Sequence, residues 1–255
     1  MKIIDLSVAL ENDVPADPPG LGPRIAYKSH AEGALEYERF FPGLKGGDLP
    51  DGEGPAVEII TASTHTGTHL DAPWHFASTM NHGQRALTID EIPLDWCIRP
   101  GVKLDFRHLP DGHIVTPDEV EAELARIDHV LQPFDIVLVN TAAGAAYGTP
   151  AYLGSGCGFG RAATLWLLER GVRITGTDAW SWDVPFSFTA ARFSETGNAG
   201  LIWEGHKAGR CGIFLHIEKL SGLENLPATG FTVCCLPVKV KGGSAGWCRA
   251  VAMVE

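Results

Sequence analysis

Residues 65–75 read His65-Thr-Gly-Thr-His69-Leu-Asp71-Ala-Pro-Trp-His75, placing three of the chain's ten histidines beside one aspartate in a single short segment. Those side chains can meet only if the backbone bends. In a helix, His65 and His69 would share a face at i, i+4, as in the metalloprotease motif His-Glu-x-x-His, but position 66 is threonine and the general base of that motif is missing. Thr64, Thr66, Thr68 and Gly67 are poor helix formers, and Pro73 closes the segment. In an extended strand His65, His69, Asp71 and His75 would all point to one side. A straight strand, however, holds positions 65 and 69 roughly 13 Å apart at about 3.3 Å per residue, and imidazole–metal bonds are only about 2.0–2.1 Å long. Gly67 stands midway and can take the backbone angles that a sharp bend needs. The expectation is a kinked strand that folds two imidazoles and a carboxylate around one divalent cation, Zn²⁺ or Mn²⁺ by the donor set. A structural polar turn is the alternative.

The rest of the chain is consistent with a folded enzyme-sized domain. With 255 residues it is long enough for one self-supporting core spanning 1–255, and 45% hydrophobic against 20% charged residues excludes a disordered chain. A formal net charge of −11 argues against nucleic acid or an anionic membrane surface as partner, since both need basic patches. The six cysteines contain no Cys-x-x-Cys pair and suit buried thiols in a reducing compartment. Asp5 and Glu11 cut the apolar run at the N-terminus too short for a signal-peptide core, and no stretch approaches the roughly 18 apolar residues of a membrane span. The sequence therefore predicts a cytoplasmic protein.

Strands are expected at 3–10, 57–64, 134–140, 172–177, 213–220, 232–240 and 247–254, with a mobile glycine- and proline-rich surface segment at 42–55. Thr116, Pro117 and Glu119 spell a capped helix start, Arg161 to Arg170 should be a helix stopped by Gly171, and 198–208 is a further helix candidate. Gly158-x-Gly160-x-x-Ala163 imitates a dinucleotide fingerprint but lacks a strand ending just before it. Cys157, in a glycine-rich loop, has no histidine tied to it by sequence and is expected to be structural. His30, His82, His108, His113, His129 and His216 are expected to be satisfied core or surface residues rather than ligands.

The 65–75 segment resembles, at every position, the His-x-Gly-Thr-His-x-Asp-x-Pro-x-His signature of the cyclase family, which includes bacterial kynurenine formamidase and isatin hydrolase. The similarity runs from the Asp5-Leu6-Ser7 opening to residues 237–252. It implies a single compact α/β domain with a central, partly barrel-like mixed β-structure flanked by a few helices, assembled as a homodimer or homotetramer. It also implies that His65, His69 and Asp71 hold a first ion, with Asp71 placed to bridge to a second, and that His75 is the general acid/base. His206 and Glu218, twelve residues apart, match the family's second-ion ligand and bridging carboxylate. A solvated histidine and a surface glutamate are the alternative for that pair.

Such a site, with one or two divalent ions, implies hydrolysis of an amide C–N bond in a small molecule of arylformamide, lactam or cyclic imide type. Trp180, Trp182, Phe186 and Phe188 alternate and would line one side of an extended segment. Together with Trp74 and Trp203 they are candidates for an aromatic cleft wall, a packed core or subunit interface being the other reading. Kynurenine formamidases carry Trp-Pro-Gly-Asp after the opening strand, whereas this chain reads Val14-Pro-Ala-Asp-Pro-Pro-Gly20 without tryptophan, which disfavours N-formylkynurenine itself. A non-catalytic metal-dependent binding protein is the alternative of a different class, and the presence of His75 favours the enzyme.

Overall fold

Residues 1–254 are described by a computed structural model. Ile136-Val-Leu-Val139, apolar at every position, is buried at every position, and it lies mid-sheet for that reason: both of its faces must be covered. Nine strands form this sheet: β1 (Lys2–Asp5), β2 (His69–Asp71), β3 (Ile98–Asp105), β4 (Ile136–Asn140), β5 (Ile174–Thr177), β6 (Leu215–Glu218), β7 (Phe231–Cys234), β8 (Ala245–Trp247) and β9 (Val251–Val254). Their spatial order is β1-β9-β7-β3-β4-β5-β6-β2-β8. The four central strands β3 to β6 run parallel, and the remaining pairings are antiparallel.

The sheet curls far enough for one end to reach back across it. Just past β1, Ser7 bridges Leu220 at the end of β6, and Ser221 donates its N–H to the Leu6 carbonyl at 2.9 Å. This contact between strands far apart in the sheet gives the partly barrel-like form. Alternation along β4 divides the interior: Ile136 and Leu138 join a layer with Leu6, Leu70 and Ile217, while Val137 and Val139 join one with Phe159, Leu167, Trp182 and Phe214. Because the two layers share one sheet, the chain is a single domain.

Helices cover the second layer. Pro117–Arg126 is capped by Thr116, whose side chain accepts from the Glu119 N–H while Glu119 reaches back. Arg161–Glu169 buries Ala163 and Leu167 and ends before Gly171, at φ 87°. Two expectations fail here. Residues 198–208 form a 3-10 turn at Ala199–Leu201 and a separate helix α1 at Glu204–Lys207, because Trp203 between them sits at φ 58°, outside helical space. Residues 180–188 are not one extended segment, since a helix occupies Phe186–Thr196 directly after Pro185. The 42–55 segment contains two 3-10 turns, at Gly46–Asp48 and Pro50–Gly52, the first of them in contact with the helix His30–Tyr37. Arg24–Lys28 and Val57–Thr61 pair antiparallel as a separate two-stranded sheet, the second strand exposed throughout. No helix among the described residues is long and apolar enough to cross a membrane.

Candidate metal centre

Gly67 adopts φ 67°, and the chain turns there as its neighbours require. The turn brings the His65 and His69 rings to 5.1 Å between centroids, and His75, on the helical turn Pro73–Phe76, lies 4.1 Å from His65. Asp71 is the hub. Its Oδ1 lies 2.8 Å from His65 Nδ1 and 3.3 Å from His69 Nε2, and its Oδ2 is 3.9 Å from His75 Nε2.

The second half of the centre comes from strand register. β6 pairs antiparallel with β2 so that His216 faces Asp71 and Glu218 faces His69, while Leu70 and Ile217 point the other way into the apolar layer. Glu218 Oε2 is 3.4 Å from His69 Nε2. His216 Nε2 is 3.0 Å from Glu218 Oε1 and 3.1 Å from Asp71 Oδ2, so the histidine expected in the core or at the surface lies buried inside the cluster itself. The signal was its i, i+2 spacing from Glu218 on a strand, which forces both side chains to one face.

His206 arrives from α1. Asp183 accepts from the backbone N–H groups of Gly205 and His206 and from His206 Nδ1, leaving Nε2 at 3.6 Å from Glu218 Oε1. Sequence reasoning missed Asp183 too; nothing local marks it as a partner of a histidine 23 positions on. The six expected ligand and acid/base residues, His65, His69, Asp71, His75, His206 and Glu218, thus converge on one place. Asp71, His206, His216 and Glu218, and likewise His65, Asp71 and His75, are groups whose ligand-type atoms lie within 4.8 Å of one another.

The donor set fits a divalent cation. Both Asp71 oxygens and His69 Nε2 are buried without a hydrogen-bond partner, although opposite groups sit 2.8–3.4 Å away. The nitrogens aim past the oxygens. A buried, unpaired carboxylate is expensive, and ligand atoms on tetrahedral bonds of about 2.0–2.1 Å stand roughly 3.4 Å apart, as these do. Burial opposes charge on both carboxylates, yet the surrounding imidazoles draw Asp71 and Glu218 well below the usual carboxylate range. Burial would likewise push His69 and His206 down, but the carboxylates beside them hold both at about 10. His75 goes the other way: burial brings it down to about 4, so it is unprotonated at neutral pH.

A cleft opens over this cluster, lined by Asp17, Pro18, Leu21, Trp180 and Trp203 along with His65, His75, His206 and Glu218. Of the aromatic candidates, Trp180 and Trp203 line it; Trp203 stacks on His206 at 4.8 Å between centroids. Trp182 does not. It is buried, stacked on Phe159 at 4.3 Å. Trp74 is exposed away from the lining, and Phe186 packs edge-on behind Trp180 at 5.1 Å. The tryptophan-free loop 14–20 forms part of the rim, where Asp17 pairs with the buried Lys219 and accepts from Trp180 Nε1 at 3.3 Å.

Comparison with known proteins gives the family and the fold. A 29% identical relative, the kynurenine formamidase of Erythrobacter litoralis (strain HTCC2594), aligns over 205 residues, 78% of each chain. Isatin hydrolase A from Labrenzia aggregata superposes with a TM-score of 0.71 at 25% identity, over 99% of this chain and 93% of that one. An isatin hydrolase bound to the product analogue thioisatinate superposes at 0.74 with 19% identity, over 99% and 92%. The family model described as "Putative cyclase" matches residues 4–184, well over half the chain though short of His206 and Glu218, and the protein belongs to the cyclase family.

Proposed function

We propose that this protein is a metal-dependent hydrolase that cleaves the amide C–N bond of a small, uncharged aryl amide, lactam or cyclic imide. The observation that carries the reading is Asp71: a buried carboxylate with both oxygens unpaired among imidazole nitrogens, beside His65 and His75, which line an aromatic cleft. His65, His69 and Asp71 would hold one ion, with His206 and Glu218 available to a second, and Zn²⁺ or Mn²⁺ suits the nitrogen and carboxylate donors. A bound divalent cation supplies Lewis acidity, lowering the pKa of water toward neutrality and polarising a carbonyl. His75 does the proton work. Its Nε2 faces the cluster and, unprotonated at neutral pH, takes the proton of the attacking water and delivers it to the leaving nitrogen as the C–N bond breaks. Trp180, Trp203, Pro18 and Leu21 would hold a planar ring against the cleft walls, and no lysine or arginine is among the lining residues to meet a substrate carboxylate.

N-formylkynurenine, the natural second reading from the formamidase relative, would find no lysine or arginine among the lining residues to pair with its amino-acid carboxylate. A binding protein without turnover would not need a proton carrier at position 75. The exposed Tyr27, Val57, Ile59 and Ile60 on the two-stranded sheet favour a homodimer or homotetramer, and six free cysteines suit the cytoplasm. The test is metal analysis coupled to a screen of isatin, formyl anilides and cyclic imides. Chelation should abolish turnover and a thiol reagent should leave it; the opposite pattern would overturn the reading.

A further inference from the structure

We infer that His216 is a positioning residue rather than a ligand: its Nε2–H donates to Glu218 Oε1 and so commits that carboxylate to a cation through Oε2 alone. The inference rests on the metal-centre reading above. The imidazoles around the carboxylates are of two kinds. His65, His69 and His206 each have one ring nitrogen tied away from the cluster, to Ser244 Oγ at 2.9 Å, to the Gly67 carbonyl at 2.8 Å and to Asp183 Oδ2 at 2.5 Å. The other nitrogen of each faces the carboxylates without hydrogen-bond alignment. That is how a ligating imidazole is held, its far N–H fixed by an outer partner.

His216 is built the other way round. Its Nε2 is aligned on Glu218 Oε1 at 3.0 Å, and its buried Nδ1 has no partner. The ring lies against Phe76 at 5.2 Å and 12° and near Trp182 at 6.1 Å and 23°. A proton on Nδ1 would be enclosed by aromatic carbon with no acceptor, so the proton belongs on Nε2. A nitrogen carrying a proton has no lone pair to give a cation. The Trp182 backbone N–H donates to the same Glu218 oxygen at 3.2 Å. Oε1 therefore has both lone pairs engaged, and Oε2, beside His69, is the oxygen left over.

The experiment uses full-length protein with isotope-labelled histidine rings, loaded with NMR-active cadmium. Cadmium–nitrogen coupling is expected at His69 and absent at His216, whose Nε2 should report a directly bonded proton and whose Nδ1 a bare nitrogen, with metal and without it. Coupling to His216, or a proton on its Nδ1, overturns the inference. Failure of cadmium to bind at all would instead sink the metal-centre reading, and the position of the His216 proton would still decide this one. Two variants separate donation from packing. His216→Gln keeps a donor and should keep metal affinity within a few-fold, whereas His216→Phe keeps only the ring and should lower affinity about 10–100-fold with the number of bound ions unchanged. Loss of a whole ion in His216→Gln would make His216 a ligand after all.

Discussion

The floor of the cleft and its rim are built on opposite principles. The floor rests on the β2/β6 pair, where register alone sets His69 against Glu218 and Asp71 against His216; all four are buried, and of them Glu218 reaches the cleft lining. The rim is loop 14–21 with Trp180 and Trp203, partly exposed and anchored through contacts such as Asp17 with Lys219. A one-residue slip of β6 would turn both of its site residues away from β2's, so the floor is intolerant of change. The rim can be rewritten residue by residue with the sheet untouched. The carboxylates of the centre thus belong to the sheet, and the choice of substrate to the loops.

That division can be broken by substitution, and the floor should yield the largest effects. Asp71→Asn should lose bound metal and reduce activity as far as a chelator does, beyond what any proton-transfer variant does; metal analysis beside turnover checks this. His75→Ala should keep its metal while kcat falls by about 10²–10⁴-fold. The same residue sets the acid limb. Because burial brings His75 to about 4, and the base form is the active one, turnover should fall as pH drops through about 4 rather than through 6.5, with metal content followed at each pH. Asp183→Asn, which alters the group that holds His206 Nδ1 and the backbone N–H groups at the start of α1, should weaken metal affinity about 10–100-fold, read by competition with a chelator. Trp180→Ala, on the rim, should raise KM by about tenfold with kcat nearly unchanged, consistent with the ~0.5–1.5 kcal/mol of aromatic contact. A large kcat effect there would erase the distinction between floor and rim.

The floor was legible where its parts are close in sequence. His65, His69, Asp71 and His75 declare themselves within one segment, and the kink at Gly67 followed from the length of a strand residue against that of a metal bond. The partners from β6 and α1 were legible only through the resemblance that singled out His206 and Glu218. His216 stayed hidden because a histidine two residues from a glutamate means nothing until the strand is known to pair with β2. Asp183 stayed hidden because its partner lies on another element. The aromatic wall departs from the alternation for a local reason: the chain bends at 178–180 and 182–183 and a helix follows Pro185, so 180–188 is not extended, and Trp182 goes to the core while Trp180 goes to the cleft.

Trp203 holds its ring flat on His206 from a left-handed backbone angle that a tryptophan adopts only under strain, worth roughly 1–2 kcal/mol. Glycine would sit there at ease. A laboratory evolving this enzyme for heat tolerance should therefore find position 203 among the tempting exchanges, and the hardier clones it yields should be the sluggish ones.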